Sequence, residues 1–456
     1  MSELLPLALC WLCAPVFLLL DGCKPAVAWV AAALLAIVTV ADLVLLAAMV
    51  WLEQPPLSVV TGGWPAGPGI RLYVDPVSLF FGAVCGLVLT AVLVHEARAR
   101  VRSRSFPALI LFMCAGLHGA FATGDLFNFY VFFEISVVTS FALAAYGFGR
   151  EEVRGAFIYI IANLLGSSLF LIGIAVVYHT AGTLDLIKLA ERAEEGGHGI
   201  HLLGAALLFA AFSLKLGLFP LHGWVPVIYS HAQPAVAAVM SGALINIGAY
   251  GMLRIGLLAA EGARAEAAPL LLGLGAVAIV YGALLAARRE TPSEIIAYAS
   301  IAQAGYIVLA FGAGGRTGAA AALLVVLAGS LEKAAMFLSQ EGSGRLRSAT
   351  AFAAAAGVAG LPLTLGLLAK IELFRATVLA PAGLLLAAVL AIGTCFLFVA
   401  AVRFWDQVRR LPVPEAGNVP ASAVLAAATV VLALFAAPLD GLMVTLSSEL
   451  YIGGGQ

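Results

Sequence analysis

Charge is what this sequence has least of. Only 11% of its 456 residues are Asp, Glu, Lys or Arg, and the formal net charge is −1; a soluble domain carries about 25% charged residues. That scarcity excludes an ordinary water-facing surface, and the near-zero balance leaves nucleic acid nothing to recognise electrostatically. Cysteine is sparse too. The six present, Cys10, Cys13, Cys23, Cys85, Cys114 and Cys395, lie in or beside apolar runs, and only Cys10 and Cys13 have CxxC spacing. With no second Cys/His pair nearby, they are expected to be buried free thiols and not a metal or redox pair. There is no GxxxxGK[ST] phosphate loop, and Gly312-Ala313-Gly314-Gly315 falls between apolar runs and not after a strand, so nucleotide binding is unsupported. Histidines and carboxylates do not cluster along the chain at metal-ligand spacing, and no cysteine quartet could hold an iron–sulfur cluster. The chain is expected to carry no cofactor, no metal and no catalytic redox site; redox centres, if any take part, belong to partner subunits.

Apolar length is what the chain has in excess. Hydrophobic residues make up 63% of it, and a window of about 20 residues, enough for a helix to cross a bilayer, finds fourteen candidate spans. They run roughly over 4–20, 27–51, 74–95, 106–122, 126–148, 154–180, 200–219, 234–258, 269–287, 293–311, 319–338, 350–378, 382–403 and 421–446. The expected fold is an all-α polytopic protein of the cell membrane, with links too short for a soluble domain. One non-membrane element stands out: in 182–192, Leu184, Ile187 and Leu189 recur at helical spacing among charges, which reads as a short interfacial helix. The apolar start carries Glu3 and no basic stretch, which favours a retained first helix over a cleaved leader, and Asp21 spoils the lipoprotein-like box ending at Cys23.

Orientation is read from Lys and Arg. Placing the loop with Arg98, Arg100, Arg102 and Arg104 in the cytoplasm puts fourteen basic residues inside and seven outside; the remaining three of the 24 lie within spans. Both termini then face outward.

Those three are Lys215, Lys333 and Lys370, and Glu134 is embedded likewise. A charge at mid-bilayer costs about 2.5–3.5 kcal/mol on insertion scales, so the four together cost on the order of 10–14 kcal/mol unless partners or water relieve them. Such a row is by default an ion or proton path. Two of the lysines accompany helix breakers: Lys215 precedes Gly217 and Pro220, and Lys370 follows Gly360, Pro362 and Gly366. Paired interruptions in two halves point to inverted repeats with a site near the midplane, here spans 4–8 against spans 9–13. The expected segments are 1–105 with three helices, 106–260 and 261–410 as five-helix repeats with broken helices 7 and 12, and 411–456 as a last helix and tail. Proline frees backbone carbonyls that must find water or side chains, so hydrated pockets are expected beside these lysines.

The run Thr123-Gly124-Asp125-Leu126-Phe127-Asn128-Phe129-Tyr130-Val131-Phe132-Phe133-Glu134 resembles the fifth-helix signature of the antiporter-like subunits shared by Mrp-type cation/proton antiporters, respiratory complex I and membrane-bound hydrogenases. Phe219-Pro220-Leu221-His222-Gly223-Trp224-Val225-Pro226, Ser241-Gly242-Ala243, Gly248-Ala249-Tyr250-Gly251 with Arg254, and the run from Ile296 to Tyr306 resemble its later helices in unbroken order over about 70–410. The fifth-helix run and the following Ala181-to-Glu191 stretch are most similar to the D-type component of Mrp antiporters.

The resemblance implies that Glu134 is the helix-five carboxylate, Lys215 its helix-seven partner, Lys333 the helix-eleven lysine and Lys370 the helix-twelve group nearest the exit. Glu332, adjacent to Lys333, is a candidate neutraliser. Two positions depart from the family: Asn246 stands where a lysine or histidine is usual, and Gly329 where a histidine is usual. Asparagine hydrogen-bonds but does not titrate near neutral pH, so His222, His231 and Tyr250 become auxiliary candidates. Asp42 in the second span is expected to be unpaired and within reach of headgroups. Three functions stay open: the ion-translocating subunit of a multi-subunit cation/proton antiporter carrying protons with sodium or potassium, a proton-pumping subunit of an NADH:quinone oxidoreductase or hydrogenase-like complex, or a non-conducting scaffold. All three imply other membrane subunits and the lipid bilayer as partners.

Overall fold

The computed structural model describes residues 5–65, 69–99, 103–146, 149–194, 200–258, 261–342, 344–378, 382–412 and 420–450. Glu3, Arg100, Arg102 and the tail lie outside them. Helices α1 (Leu5–Leu19) and α2 (Pro25–Trp51) lead into a short antiparallel hairpin, β1 (Leu57–Val60) and β2 (Arg71–Val74), paired Leu57 to Val74 through Val60 to Arg71. Then come α3 (Pro76–Ala99), α4 (Phe106–Phe121), α5 (Leu126–Ala144) and α6 (Arg150–Ala181). The fold is thus nearly, not wholly, helical. The hairpin corrects the all-α expectation: Ser58, Tyr73 and Arg71 are too polar for an apolar window, and four-residue strands are too short to register in it.

The amphipathic stretch forms α7 (Leu186–Glu194), started by Asp185, whose Oδ1 accepts from the backbone N–H of Ile187 (3.1 Å) and Lys188 (3.2 Å). Next are α8 (Leu202–Leu216), α9 (Trp224–His231), α10 (Pro234–Val239) and α11 (Asn246–Leu258), with a π-turn at Met240–Leu244 between the last two. The second half comprises α12 (Glu261–Arg288), α13 (Pro292–Ala313), α14 (Gly315–Ser339), α15 (Gly344–Ala359), α16 (Leu365–Val378), α17 (Gly383–Arg410), α18 (Pro420–Leu434) and α19 (Ala436–Glu449).

Among the described residues, nine helices are long and apolar enough to cross a membrane, ten if the last pair counts as one. That pair corrects the expected straight final span, because α18 and α19 meet at 90°. Three other apolar helices, Leu7–Leu19, Phe106–Phe121 and Leu202–Leu216, are shorter. The seventh stretch breaks at Gly217 (φ +69°) and the twelfth at Gly360 (φ +75°), where the left-handed backbone suits glycine. At the first break the indole Nε1–H of Trp224 donates to the freed carbonyl of Leu214 at 2.9 Å.

The core is not evenly shared. From Gly318 to Ser339 every residue of α14 is buried, as are Ala235 to Val239 of α10 and the π-turn, whereas α6 and α17 turn large apolar side chains outward, including Phe157 and Leu384. On α3, Gly82 and Gly86 form a GxxxG stripe against Asp42 and Thr39 of α2, letting those backbones approach closely. Together these features are those of a multi-pass membrane protein, with α14 as its axis.

Candidate functional site

Lys215, the second last residue of α8, is 1% exposed. Its Nζ donates to Asn163 Oδ1 at 3.0 Å and to the Tyr159 hydroxyl at 3.2 Å, both on α6. The Tyr159 hydroxyl in turn meets Ser140 Oγ of α5 at 2.7 Å, and Ser140 donates to the Val137 carbonyl at 2.6 Å. The ammonium also lies over the Phe133 and Tyr159 rings, at 5.6 and 5.5 Å from their centroids. Glu134 is half-buried one residue beyond Phe133, but no ion pair within 4.0 Å joins it to Lys215, and its Oε1 is buried without a hydrogen-bond partner. The hydrogen bonds to the Lys215 ammonium thus come from neutral dipoles, with Glu134 beyond direct ion-pair distance. Nothing along the chain distinguishes Tyr159, Asn163 and Ser140 in advance, because uncharged polar residues in helices carry no distinctive signal.

A second cluster lies between α14, α15 and α16. Glu332, Lys333 and Lys370 line one cavity of about 40 Å³ with Gln303, Tyr306, Gly329 and Gly357, large enough to admit water. Lys370 Nζ donates to the carbonyls of Val358 (3.0 Å) and Ala359 (2.7 Å), which the break at Gly360 exposes. Glu332 Oε1 accepts the backbone N–H of Gly366 at 3.1 Å on the other side of that break. So Glu332 is committed to the broken helix, and no ion pair within 4.0 Å links it to Lys333. Lys333 is 2% exposed.

The two departures lie on or beside α14, Gly329 in the wall of the second cluster's cavity and Asn246 against Ser330. Asn246 Nδ2 donates to Ser330 Oγ at 2.9 Å and to the Gly242 carbonyl at 2.9 Å, so a neutral hydrogen bond spans α11 and α14 one turn from Lys333. At Gly329 the space a side chain would take is filled by the carboxamide of Gln303, whose Nε2 donates to the Val325 carbonyl at 2.9 Å.

The auxiliary candidates are dispersed. His222 Nε2 pairs with the Tyr281 hydroxyl at 3.0 Å, and His231 lies 3.5 Å from Glu151 at the start of α6. Tyr250 donates to the Phe121 carbonyl at 2.8 Å, beside a buried ion pair of Arg254 with Asp75 (2.5 Å). Asp42 is not unpaired: it is 1% exposed and 2.8 Å from His118 Nε2, so a partner distant in sequence replaces the headgroups. All six cysteines are free, but Cys23 and Cys395 are exposed. Folding also gathers His95, Glu96 and Glu341, with ligand-type atoms within 4.8 Å of one another, a grouping no spacing along the chain discloses.

With this geometry in view, residues 123–345 match the family model described as NADH:quinone oxidoreductase/Mrp antiporter, TM. The chain is 32% identical over 314 residues to putative antiporter subunit mnhD2 of Staphylococcus aureus (strain MRSA252), covering 68% of this chain and 62% of that one. The chain belongs to the antiporter-like subunit family. It is also 33% identical over 321 residues to NADH-quinone oxidoreductase subunit N of Desulforudis audaxviator (strain MP104C), covering 68% and 64%. The chain thus spans under two thirds of the length of these curated relatives. In fold it is similar to a chain of the Mrp complex from Dietzia sp. DQ12-45-1b, with a TM-score of 0.87, 23% identity, and 99% and 98% of the two chains covered.

Proposed function

We propose that this protein is the proton-translocating subunit of a multi-subunit cation/proton antiporter, of the Mrp D type, and that protons move along Glu134, Lys215, Lys333 and Lys370. The observation that carries this reading is two buried lysines and a half-buried third with no carboxylate in direct contact, held by hydroxyl, carboxamide and carbonyl dipoles or facing a cavity that admits water. A buried ammonium locked in a good ion pair is costly to neutralise; one held by neutral dipoles can lose and regain its proton as charge moves nearby. Asn246 and Ser330 carry the middle of the path as hydrogen-bonding groups, with water completing the transfer. The likeness to an NADH-quinone oxidoreductase component supports a second reading, a proton-pumping subunit powered by redox chemistry in partner chains.

The same reading takes 106–260 and 261–410 as inverted five-helix repeats within a fourteen-span chain, supported by the matched breaks at Gly217 and Gly360. Both termini are assigned to the outer side. The test is proton transport by the purified native complex in proteoliposomes, with and without sodium. Lys215→Met and Glu134→Gln are each expected to abolish dye-detected proton movement while the complex still assembles. Unchanged transport in both would sink the relay and leave a scaffold. Co-purifying subunits separate the first two readings: small antiporter subunits in one case, quinone-reductase subunits in the other.

A further inference from the structure

We propose that Asp42 and His118 form a proton-binding site of their own, apart from the lysine relay, in which one exchangeable proton lies between Asp42 Oδ2 and His118 Nε2. Donors and acceptors around the ring place that proton. His118 Nδ1 lies 3.0 Å from the Cys114 carbonyl, which can only accept, so Nδ1 carries a hydrogen. On the other side of the ring, Nε2 lies 2.8 Å from Asp42 Oδ2. Two atoms that both lack hydrogen repel at that distance, so a hydrogen lies between them as well. The pair therefore holds one proton more than a neutral imidazole facing a carboxylate. Cys114 Sγ, 3.3 Å from Nδ1, offers the alternative donor. It would leave the carbonyl oxygen facing a bare nitrogen, and a thiol is the weaker partner.

The surroundings are built around this bond. Asp42 is 1% and His118 6% exposed. Gly82 of α3 leaves the space beside them open; a Cβ there would stand 3.1 Å from Asp42 Oδ2 and 3.2 Å from His118 Nε2. The titratable neighbours are Cys10 on α1, whose Sγ is 3.4 Å from Cys114 Sγ, Cys114 itself, and Cys85 on α3. Through Ser78 follow Asp75, just before α3, 2.7 Å from Ser78 Oγ and held by Arg254, and Tyr250 of α11 at 3.5 Å. A cavity of about 20 Å³ lined by Asp42, Ser78, His118, Val74 and Phe121 has room for a single water. That water would connect the pair to Ser78. His118 sits one turn before the end of α4, beneath β2, whose Tyr73 N–H donates to the Ala122 carbonyl at 2.8 Å. The proton thus exchanges with the hairpin side of the bundle.

Nitrogen-15 NMR of the full chain in lipid, labelled at histidine, reads the ring directly and needs no transport, so its outcome is separable from that of the relay. Subtracting the spectrum of His118→Gln assigns the signal among the seven histidines. We expect Nδ1 to carry hydrogen at neutral pH, in the native protein and equally in Cys114→Ala. We further expect a single His118 titration step that Asp42→Asn moves to lower pH, because the imidazolium loses its counter-charge. A bare Nδ1, no titration step, or a step that Asp42→Asn leaves in place would each overturn the proposal.

Discussion

A lysine 1% exposed, its ammonium hydrogen-bonded to a carboxamide and a phenol, is the residue-scale feature on which the proposed transport turns. That Lys215 is embedded was legible in the sequence, because a charge inside an apolar run is conspicuous. Its partners were not, because Tyr159 and Asn163 are ordinary residues on α6, and only folding aims them at α8. The departure at Gly329 behaves the same way: the missing histidine is plain along the chain, but only the fold brings Gln303, 26 positions earlier, into its place. Restoring the family residue should therefore fail on its own. Gly329→His forces a side chain into the Gln303 carboxamide, and overpacking of this kind costs about 1–3 kcal/mol. Thermal unfolding of the purified protein should show a lower Tm for Gly329→His and recovery in the double variant Gly329→His/Gln303→Ala. If the single variant unfolds at the native temperature, Gln303 yields easily and its packing is loose.

At the scale of elements, helix breaks are legible where several glycines and prolines fall together and are passed over where one proline stands alone in an apolar run. The interruptions at Gly217 and Gly360 were expected. The 90° turn at Phe435 was not, although Pro438 marks it: it cannot donate to the Leu434 carbonyl four residues back, and its ring would clash there in a continuous helix. The hairpin escapes an apolar window because its strands are short and half polar. Close packing of α2 on α3 is a further element-level property. It rests on Gly82 and Gly86, and a Cβ at Gly86 would run into Thr39 Oγ1. Gly86→Val should wedge the two helices apart at a cost of about 1–3 kcal/mol, measured as a fall in Tm. Gly441→Val on α19, where a Cβ meets nothing within 4 Å, is the control and should change little. Equal effects at the two sites would mean that the stripe does not hold α2.

Charge placement is a property of the whole molecule, and it gathers toward one end. Arg104 donates to the carbonyls of Leu19 and Leu20, Arg403 to that of Ala287, and Arg347 to those of Leu411 and Pro412, so loops far apart in sequence are tied together by basic side chains. Toward the hairpin the arginines are instead neutralised: Arg71 pairs with Asp185 at 2.8 Å and Arg254 with Asp75. In the orientation proposed from the excess of Lys and Arg on one side, the hairpin lies outside together with the Asp42–His118 pair beneath it. Labelling of intact cells with a membrane-impermeant maleimide, in a background lacking the exposed Cys23 and Cys395, checks this orientation. Val59→Cys on β1, 39% exposed, should label at once, and Arg410→Cys at the end of α17, 76% exposed, only after the cells are permeabilised. The reverse pattern would invert the molecule, and the proton held by Asp42 and His118 would then exchange with the cytoplasm.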